Sequence, residues 1–207
     1  MLWGRGKHET AAYHRRMYPG PEPRVPVNRL GIRDWPTLHA LEAEILPLRM
    51  EQGLPSEALA LKFEGYLSIH RHLFQDLYEW AGSLRPYTTS RNPGAPFAAP
   101  ENIAPWMQKQ FEFLQSQEYL RELGLSDFAA ALASVANELN AAHPFIDGNG
   151  RVLRLWLQIV SEKAGFDLSL DRRHAGDWNE ASRIGFLTGN CAPLSALLLA
   201  NLTRLRH

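Results

Sequence analysis

Residues 143 to 156 read HPFIDGNGRVLRLW. A histidine, an aspartate, two glycines, an asparagine and two arginines lie within twelve positions of this stretch. A mostly apolar stretch, residues 125 to 142, precedes it, and Pro144 disfavours helical geometry in the residue before it. The pattern therefore predicts a helix that stops at His143, a polar loop, and a second helix that starts near Asn149.

The glycines and arginines of this stretch indicate a site for an anion. Gly148 and Gly150 let a ligand approach the backbone closely, and the free N–H groups at a helix start attract negative charge. Arg151 and Arg154 lie three residues apart in the first turns, where cations oppose the helix dipole unless they face an anion. Their guanidinium groups suit phosphate oxygens, so a phosphate site around Asn149 is predicted.

His143 and Asp147 are candidates for a catalytic base and a metal ligand. His143 can take a proton from a hydroxyl near neutral pH. Asp147 is a hard oxygen ligand for Mg²⁺, which usually takes one or two carboxylates together with substrate phosphates. Each residue alone has an ordinary structural interpretation, but the combination predicts transfer of part of a nucleoside triphosphate to a hydroxyl.

The rest of the chain is mainly helical by its apolar spacing. Residues 1–36 are rich in proline and glycine and are expected to form an irregular arm before one helical domain, residues 37–207. About seven helices are predicted. They run over residues 34–48, 55–82, 103–114, 127–141, 149–164, 176–187 and 193–205. Leu84–Thr89 and Ala95–Ala98 are expected to form a β-hairpin around the turn Asn92-Pro93-Gly94.

Composition narrows the function classes. The chain has 207 residues, with 22 Lys and Arg against 22 Asp and Glu, and this zero net charge counts against a nucleic-acid binder. No segment has the length of a membrane helix or a signal peptide, so no membrane partner is expected. One cysteine fits a reducing compartment and predicts a cytoplasmic protein, although export without a cleaved signal stays open. His70 and His72 do not share a helix face, so they make a poor metal site.

The stretch resembles the signature of the Fic (filamentation induced by cAMP) family, HPFx[D/E]GNGRxxR, at all nine of its specified positions. HRHLFQDLYEWAGSLR, residues 70 to 85, is similar to the helix that leads into the family's flap. PFAAPENI, residues 96 to 103, is similar to the flap's returning strand. The resemblance covers about residues 13 to 203. It implies an all-α Fic fold with a β-hairpin flap over the active-site loop.

The resemblance also implies an activity, namely transfer of AMP from ATP to a Ser, Thr or Tyr hydroxyl of a target protein. His143 would be the general base, and Phe145 would be buried and anchor the loop. Asp147 would hold Mg²⁺ on the phosphates. Phosphate contacts would come from Gly148, Asn149, Gly150, Arg151 and Arg154, with Arg154 at the γ-phosphate.

Two further regions follow from the resemblance. The flap, around Arg91 to Ala98, would pair with the target's backbone as an added strand, and Phe97 would clamp the target side chain. The adenine pocket of the family is built after the signature helix. Trp178, Asn179 and Ser182 are its candidates here, and Asn179 is the one we select.

Many Fic proteins restrain themselves with a helix reading [S/T]xxxE[G/N], whose glutamate pairs with the second arginine of the signature. Ser134 and Glu138 have this spacing, but Leu139 follows where glycine or asparagine is expected. The segment also lies in the helix before the signature. We therefore expect that this chain is a toxin and that a separate small helical antitoxin restrains it.

Other interpretations stay open. The nucleotide donor would be UTP or GTP if the base pocket does not select adenine. Gly150 argues against kinase-like relatives, which carry lysine at this position. A catalytically silent nucleotide-binding regulatory domain would need neither His143 nor Asp147. The target protein and the oligomeric state have no signal in the sequence.

Overall fold

The structure is a computed structural model and describes residues 16–19, 25–92, 95–170 and 174–205. Backbone contacts divide the chain into two compact units, Met1–Ser90 with Phe145–Gly148, and Arg91–Pro144 with Asn149–His207. The predicted arm, residues 1–36, and domain, residues 37–207, stay a prediction. Much of that arm, residues 1–15 and 20–24, lies outside the described residues.

From residue 25 to residue 90, the described part of the first unit contains three helices, α1 (Trp35–Glu51), α2 (Ser56–Leu59) and α3 (Phe63–Phe74). Helix α1 starts as the sequence predicts, because the carboxylate of Asp34 accepts a hydrogen bond of 2.8 Å from the backbone N–H of Thr37.

The single helix predicted over residues 55–82 is wrong. Leu61 has a left-handed backbone with φ of 52°, which separates α2 from α3, and the chain continues in turns from Gln75 to Gly82. The apolar spacing runs through these breaks because the side chains are buried whether or not the backbone is helical, as at Leu77 and Tyr78. The helical spacing of apolar residues in this segment therefore indicated which side chains are buried, and it did not indicate a continuous helix.

Within the first unit, the described part of the arm forms hydrogen bonds with itself and with the segment that follows α3. The N–H of Val27 donates to the carbonyl of Met17 at 2.7 Å, and that of Arg29 donates to the carbonyl of Leu77 at 2.8 Å. The indole of Trp80 donates to the carbonyl of Val27 at 3.0 Å. Residues 25–29 therefore pack against the segment that follows α3.

From Ser90 onward the described chain forms five α-helices and two short two-stranded sheets. Their bounds are β1 (Ser90–Asn92), β2 (Ala95–Pro96), α4 (Pro100–Ser116), α5 (Leu125–Ala142), α6 (Asn149–Lys163), β3 (Phe166–Leu168), α7 (Ala175–Thr188), α8 (Ala192–Ala200) and β4 (Leu202–Arg204). Helix α5 is central in the second unit and packs against α4, α6, α7 and α8. Its inner face is fully buried at Phe128, Leu132 and Leu139.

The strands differ from the prediction. Strand β1 begins at Ser90 rather than Leu84, because Pro86 has no N–H to donate and the buried Arg85 donates its Nη1 to the carbonyl of Tyr87 at 2.6 Å.

Helix boundaries were also partly wrong. The last helix ends at Ala200, and the following residues form β4, which pairs antiparallel with β3 and places Leu202 opposite Leu168. Helix α5 starts at Leu125, two residues before the predicted start at residue 127, and no side chain caps it.

None of the described helices is both long and apolar enough to cross a membrane.

Candidate active site

The signature divides between the two units. Phe145–Gly148 belongs to the first, and the residues on either side of it belong to the second. In the first unit the side chain of Phe145 is fully buried, which confirms its expected burial. Its ring stacks on His70 with centroids 3.9 Å apart and lies parallel to Tyr66 at 5.7 Å. Burial of a ring of this size fixes where the following loop begins.

Asp147 and Gly148 form a tight turn. The Asp147 Oδ1 accepts a hydrogen bond of 2.7 Å from the N–H of Gly148, which orients the carboxylate. Gly148 has φ of +80°, and a Cβ there would lie 2.6 Å from the ring of Phe74. Only glycine meets both conditions, so Phe74 explains why this position of the signature lacks a side chain.

Two tyrosines lie near Asp147, of which Tyr87 is buried and Tyr18 is half-buried. The Tyr18 hydroxyl donates to the carbonyl of Ile146 at 3.2 Å. Burial raises the pKa of Tyr18 well above its usual range, and the charges of Tyr87 and Asp147 raise it further. Burial likewise raises the pKa of Tyr87. Both phenols therefore remain protonated at neutral pH and can act as donors beside the loop.

The carboxylate of Asp147 fits a magnesium ion held mainly by a substrate. In the described ranges, no group of three or more His, Cys, Asp or Glu side chains could hold a metal ion. Mg²⁺ often takes one or two carboxylates and completes its coordination with waters and phosphates. A single oriented carboxylate beside a glycine matches that mode.

In the second unit, His143 follows the last residue of α5, as predicted. It has a left-handed backbone with φ of 45° and ψ of 62°, a conformation in which histidine is enriched among non-glycine residues. Its N–H still donates to the carbonyl of Leu139 at 3.2 Å. The helix therefore ends abruptly, and the imidazole leaves the helical path.

Phe97 packs on that imidazole. The two rings are stacked, with centroids 3.8 Å apart and planes 10° from parallel. The ring of Phe186 also contacts Phe97, with centroids 4.8 Å apart. Phe97 is 6% exposed, and the N–H of the next residue, Ala98, donates to the carbonyl of Ala141 at 3.0 Å. The predicted role of Phe97 as a clamp on the target side chain stays a prediction.

Helix α6 begins with Asn149 and Gly150, and Arg154 folds back over this first turn. A Cβ at Gly150 would lie 3.3 Å from the Arg154 Nη1. The guanidinium carbon lies 5.7 Å from the ring centre of Trp178, which is 3% exposed. Burial lowers the pKa of Arg154, and the charge of Arg151 lowers it further.

Among the residues that the structure describes, no carboxylate lies within 4.0 Å of Arg154. A largely buried guanidinium group is costly unless an anion compensates its charge. Because Arg154 lies near a helix start, where backbone N–H groups also attract anions, its charge supports the predicted phosphate site.

The residues proposed for the adenine pocket differ in exposure. Asn179 is exposed, and its carbonyl accepts a long hydrogen bond of 3.4 Å from Arg91 of β1. Ser182 is 3% exposed, and its hydroxyl has no hydrogen-bond partner among the described residues. The assignment of Asn179 to adenine stays a prediction.

Sequence comparisons agree with the signature. The Fic/DOC family model matches residues 60–161. Protein adenylyltransferase VbhT of Bartonella schoenbuchensis is 34% identical over 90% of this chain, which spans only 39% of VbhT. The probable protein adenylyltransferase y4lH of Sinorhizobium fredii is 33% identical over 86% of this chain and 91% of y4lH.

Solved structures agree on the fold. The BepC protein of Bartonella tribocorum, with bound AMPPNP, has a TM-score of 0.80 and 23% identity over 93% of this chain and 98% of BepC. A Fic domain from Bartonella quintana, with bound ADP, has a TM-score of 0.80 and 23% identity over 93% of this chain and 96% of that domain. The predicted mainly helical Fic fold is confirmed, and the chain belongs to the Fic/DOC family.

Proposed function

We propose that this chain is a protein adenylyltransferase that moves AMP from ATP to a Ser, Thr or Tyr hydroxyl of a target protein. The observation that carries the proposal is the complete signature HPFIDGNGRVLR in a chain whose curated relatives are named protein adenylyltransferases. Bound AMPPNP and ADP in similar folds support the nucleotide part. The position of Arg154 near the start of α6, where backbone N–H groups attract anions, supports the phosphate part.

The reaction we propose needs one proton transfer and one displacement at phosphorus. His143 takes the proton from the target hydroxyl while its oxygen attacks the α-phosphorus. The bond from that phosphorus to the oxygen bridging the α- and β-phosphates breaks, and pyrophosphate leaves. Because catalysis of such transfers is mostly positioning and charge stabilisation, Arg151 and Arg154 hold the departing phosphates.

Magnesium belongs to the same proposal, with Asp147 as its protein ligand. When bound, Mg²⁺ would neutralise charge on the phosphate oxygens. The turn between Asp147 and Gly148 keeps that carboxylate oriented before any nucleotide arrives.

A variant of Trp178 tests the role of Arg154. We expect Trp178→Leu to raise the KM for ATP by about 2- to 30-fold, because a cation–π contact contributes roughly 0.5 to 2 kcal/mol. The turnover number should change less, since the arginine would hold the phosphate before and during the reaction. Trp178→Phe keeps an aromatic face and should show a smaller rise. Steady-state kinetics check this, and a KM unchanged in both folded variants would contradict it.

We also propose that the target binds along the flap formed by β1 and β2, and that a separate small helical antitoxin restrains the enzyme as a toxin. The absence of a carboxylate near Arg154 in the described residues supports an external inhibitor. The spacing candidate Glu138 is engaged elsewhere, since its Oε2 accepts from the indole of Trp106 at 3.2 Å.

The external-inhibitor proposal predicts that the purified chain is active alone and that Glu138→Gly leaves its specific activity within about twofold. Strong activation by Glu138→Gly would instead identify that residue as a built-in inhibitor. Both proteins are compared by labelled transfer to lysate proteins at equal concentration.

The donor is tested with Mg²⁺, cell lysate and each of the four α-labelled nucleoside triphosphates. We expect labelled protein with ATP alone. Labelling with UTP or GTP would keep the mechanism and change the donor. Absence of labelling together with normal ATP binding would favour a silent nucleotide-binding domain.

A further inference from the structure

His70 of α3 lies outside the signature, and its side chain is fully buried. Both of its ring nitrogens are used within the first unit. The N–H of Gly82 donates to the Nδ1 of His70 at 2.8 Å. The Nε2 of His70 lies 3.0 Å from the carbonyl oxygen of Asp147. The sequence spacing argued against His70 as a metal ligand. In the structure, His70 is instead hydrogen-bonded to the backbone of the signature loop.

These two partners fix the proton on the ring. A backbone N–H can only donate, so the Nδ1 of His70 must carry the lone pair. A carbonyl oxygen can only accept, so the Nε2 must carry the hydrogen that is donated to Asp147. The bonds therefore require the neutral imidazole in a single tautomer.

Aromatic packing fixes the ring itself. Phe145 stacks on it at 3.9 Å, and the rings of Phe74 and Trp80 lie at 4.8 Å and 5.8 Å. A ring held on several sides cannot turn its Nε2–H away from the loop without breaking this packing.

Asp147 is thereby held at two points. Its carbonyl accepts from His70, and its carboxylate accepts from Gly148. Partners that hold a metal ligand in place commonly contribute 10- to 100-fold to metal affinity.

We propose that His70 is a positioning residue, which sets the Asp147 carboxylate for the metal-bound nucleotide by holding the Asp147 carbonyl. This rests on the proposed function, in which Asp147 carries Mg²⁺. In this proposal His70 acts only through the Asp147 carbonyl, so its effect should be confined to the part of nucleotide binding that depends on magnesium.

A matched pair of amide variants separates the two bonds. The shorter side chain in His70→Asn places its oxygen near the Nδ1 position, so it can accept from Gly82 but cannot donate to Asp147. The longer side chain in His70→Gln places its NH₂ near the Nε2 position, so it can donate to Asp147. Both variants lose the stacked ring, which makes each a control for the packing of the other.

The measurement is calorimetric affinity for AMPPNP with and without Mg²⁺, together with thermal unfolding. We expect His70→Asn to reduce the gain in affinity from Mg²⁺ by roughly tenfold or more. His70→Gln should stay within about threefold of the parent, and affinity without the metal should be equal in all three proteins. If His70→Asn does not fold, His70→Phe keeps a stacked ring and removes both bonds, and it should show the same selective loss.

Equal loss in the Asn and Gln variants, or loss that persists without Mg²⁺, would overturn the positioning role while leaving the enzyme assignment intact. A parent chain that binds no AMPPNP under either condition would overturn the proposed function, and the role of His70 with it.

Discussion

His143→Ala should lower the rate of AMP transfer by about 100- to 10,000-fold, the range that a general base contributes. A methyl group cannot accept the proton of the target hydroxyl. Affinity for the nucleotide should survive, because the phosphate-binding residues at the start of α6 and Asp147 are unchanged. Single-turnover transfer of labelled AMP gives the rate, and calorimetry with AMPPNP gives the affinity.

The structure supplies a control for this substitution. His72 is also partly buried, and its Nε2 lies 2.7 Å from the carbonyl of Arg49, but it has no proposed role in catalysis. His72→Ala should therefore transfer AMP at close to the parental rate. A His143→Ala protein that loses nucleotide affinity as strongly as activity would contradict the assignment of a base.

Gly148→Ala should destabilise the fold by roughly 2 to 4 kcal/mol. A left-handed backbone contributes about 1 kcal/mol of this cost in a residue with a Cβ. Forcing a methyl group against a packed ring adds about 1 to 3 kcal/mol, and the Cβ would lie 2.6 Å from Phe74. Equilibrium unfolding in urea measures the loss.

Gly165→Ala isolates the backbone contribution. Its φ of +86° is similar, yet nothing lies within 4 Å of the added Cβ. We expect a loss of only about 1 kcal/mol there. Adding Phe74→Leu to Gly148→Ala should recover part of the excess. Equal losses at the two glycines would show that Phe74 does not exclude a side chain at residue 148.

The sequence predicted the elements around the signature well because their signals are local. Pro144 restricts the residue before it, and α5 ends at Ala142. Helix α6 begins at Asn149, as the glycine-rich loop indicated. The left-handed backbone of His143 could not be predicted, since a residue before proline usually takes an extended conformation.

Contacts between distant residues left no comparable signal. His70 bonds to a residue 77 positions later, and Tyr18 bonds to one 128 positions later. Alternation and helical spacing report which side chains are buried, and they do not report the partner of a buried polar atom. Sequence spacing therefore addresses His70 and His72 only as a possible metal pair, whereas the bonds of His70 to Gly82 and Asp147 are visible only in the structure.

Phe97 illustrates a different limit. Its place in the flap came from the resemblance to the Fic signature region, and the structure describes it as buried against His143. A stacked phenyl ring can orient the imidazole, whereas the predicted clamp requires the same ring to contact a target side chain. No pattern in one sequence distinguishes a residue that packs on the base from one that clamps the target.

The central claim is that the transferred group is AMP and that pyrophosphate leaves. Parallel reactions with α-labelled and γ-labelled ATP, each with a His143→Ala control, test it most directly. We predict label on a target protein from the α-phosphate alone, with the γ-label recovered as pyrophosphate and no transfer by the variant. Protein labelled by γ-labelled ATP would mean phosphate transfer and would contradict the assignment.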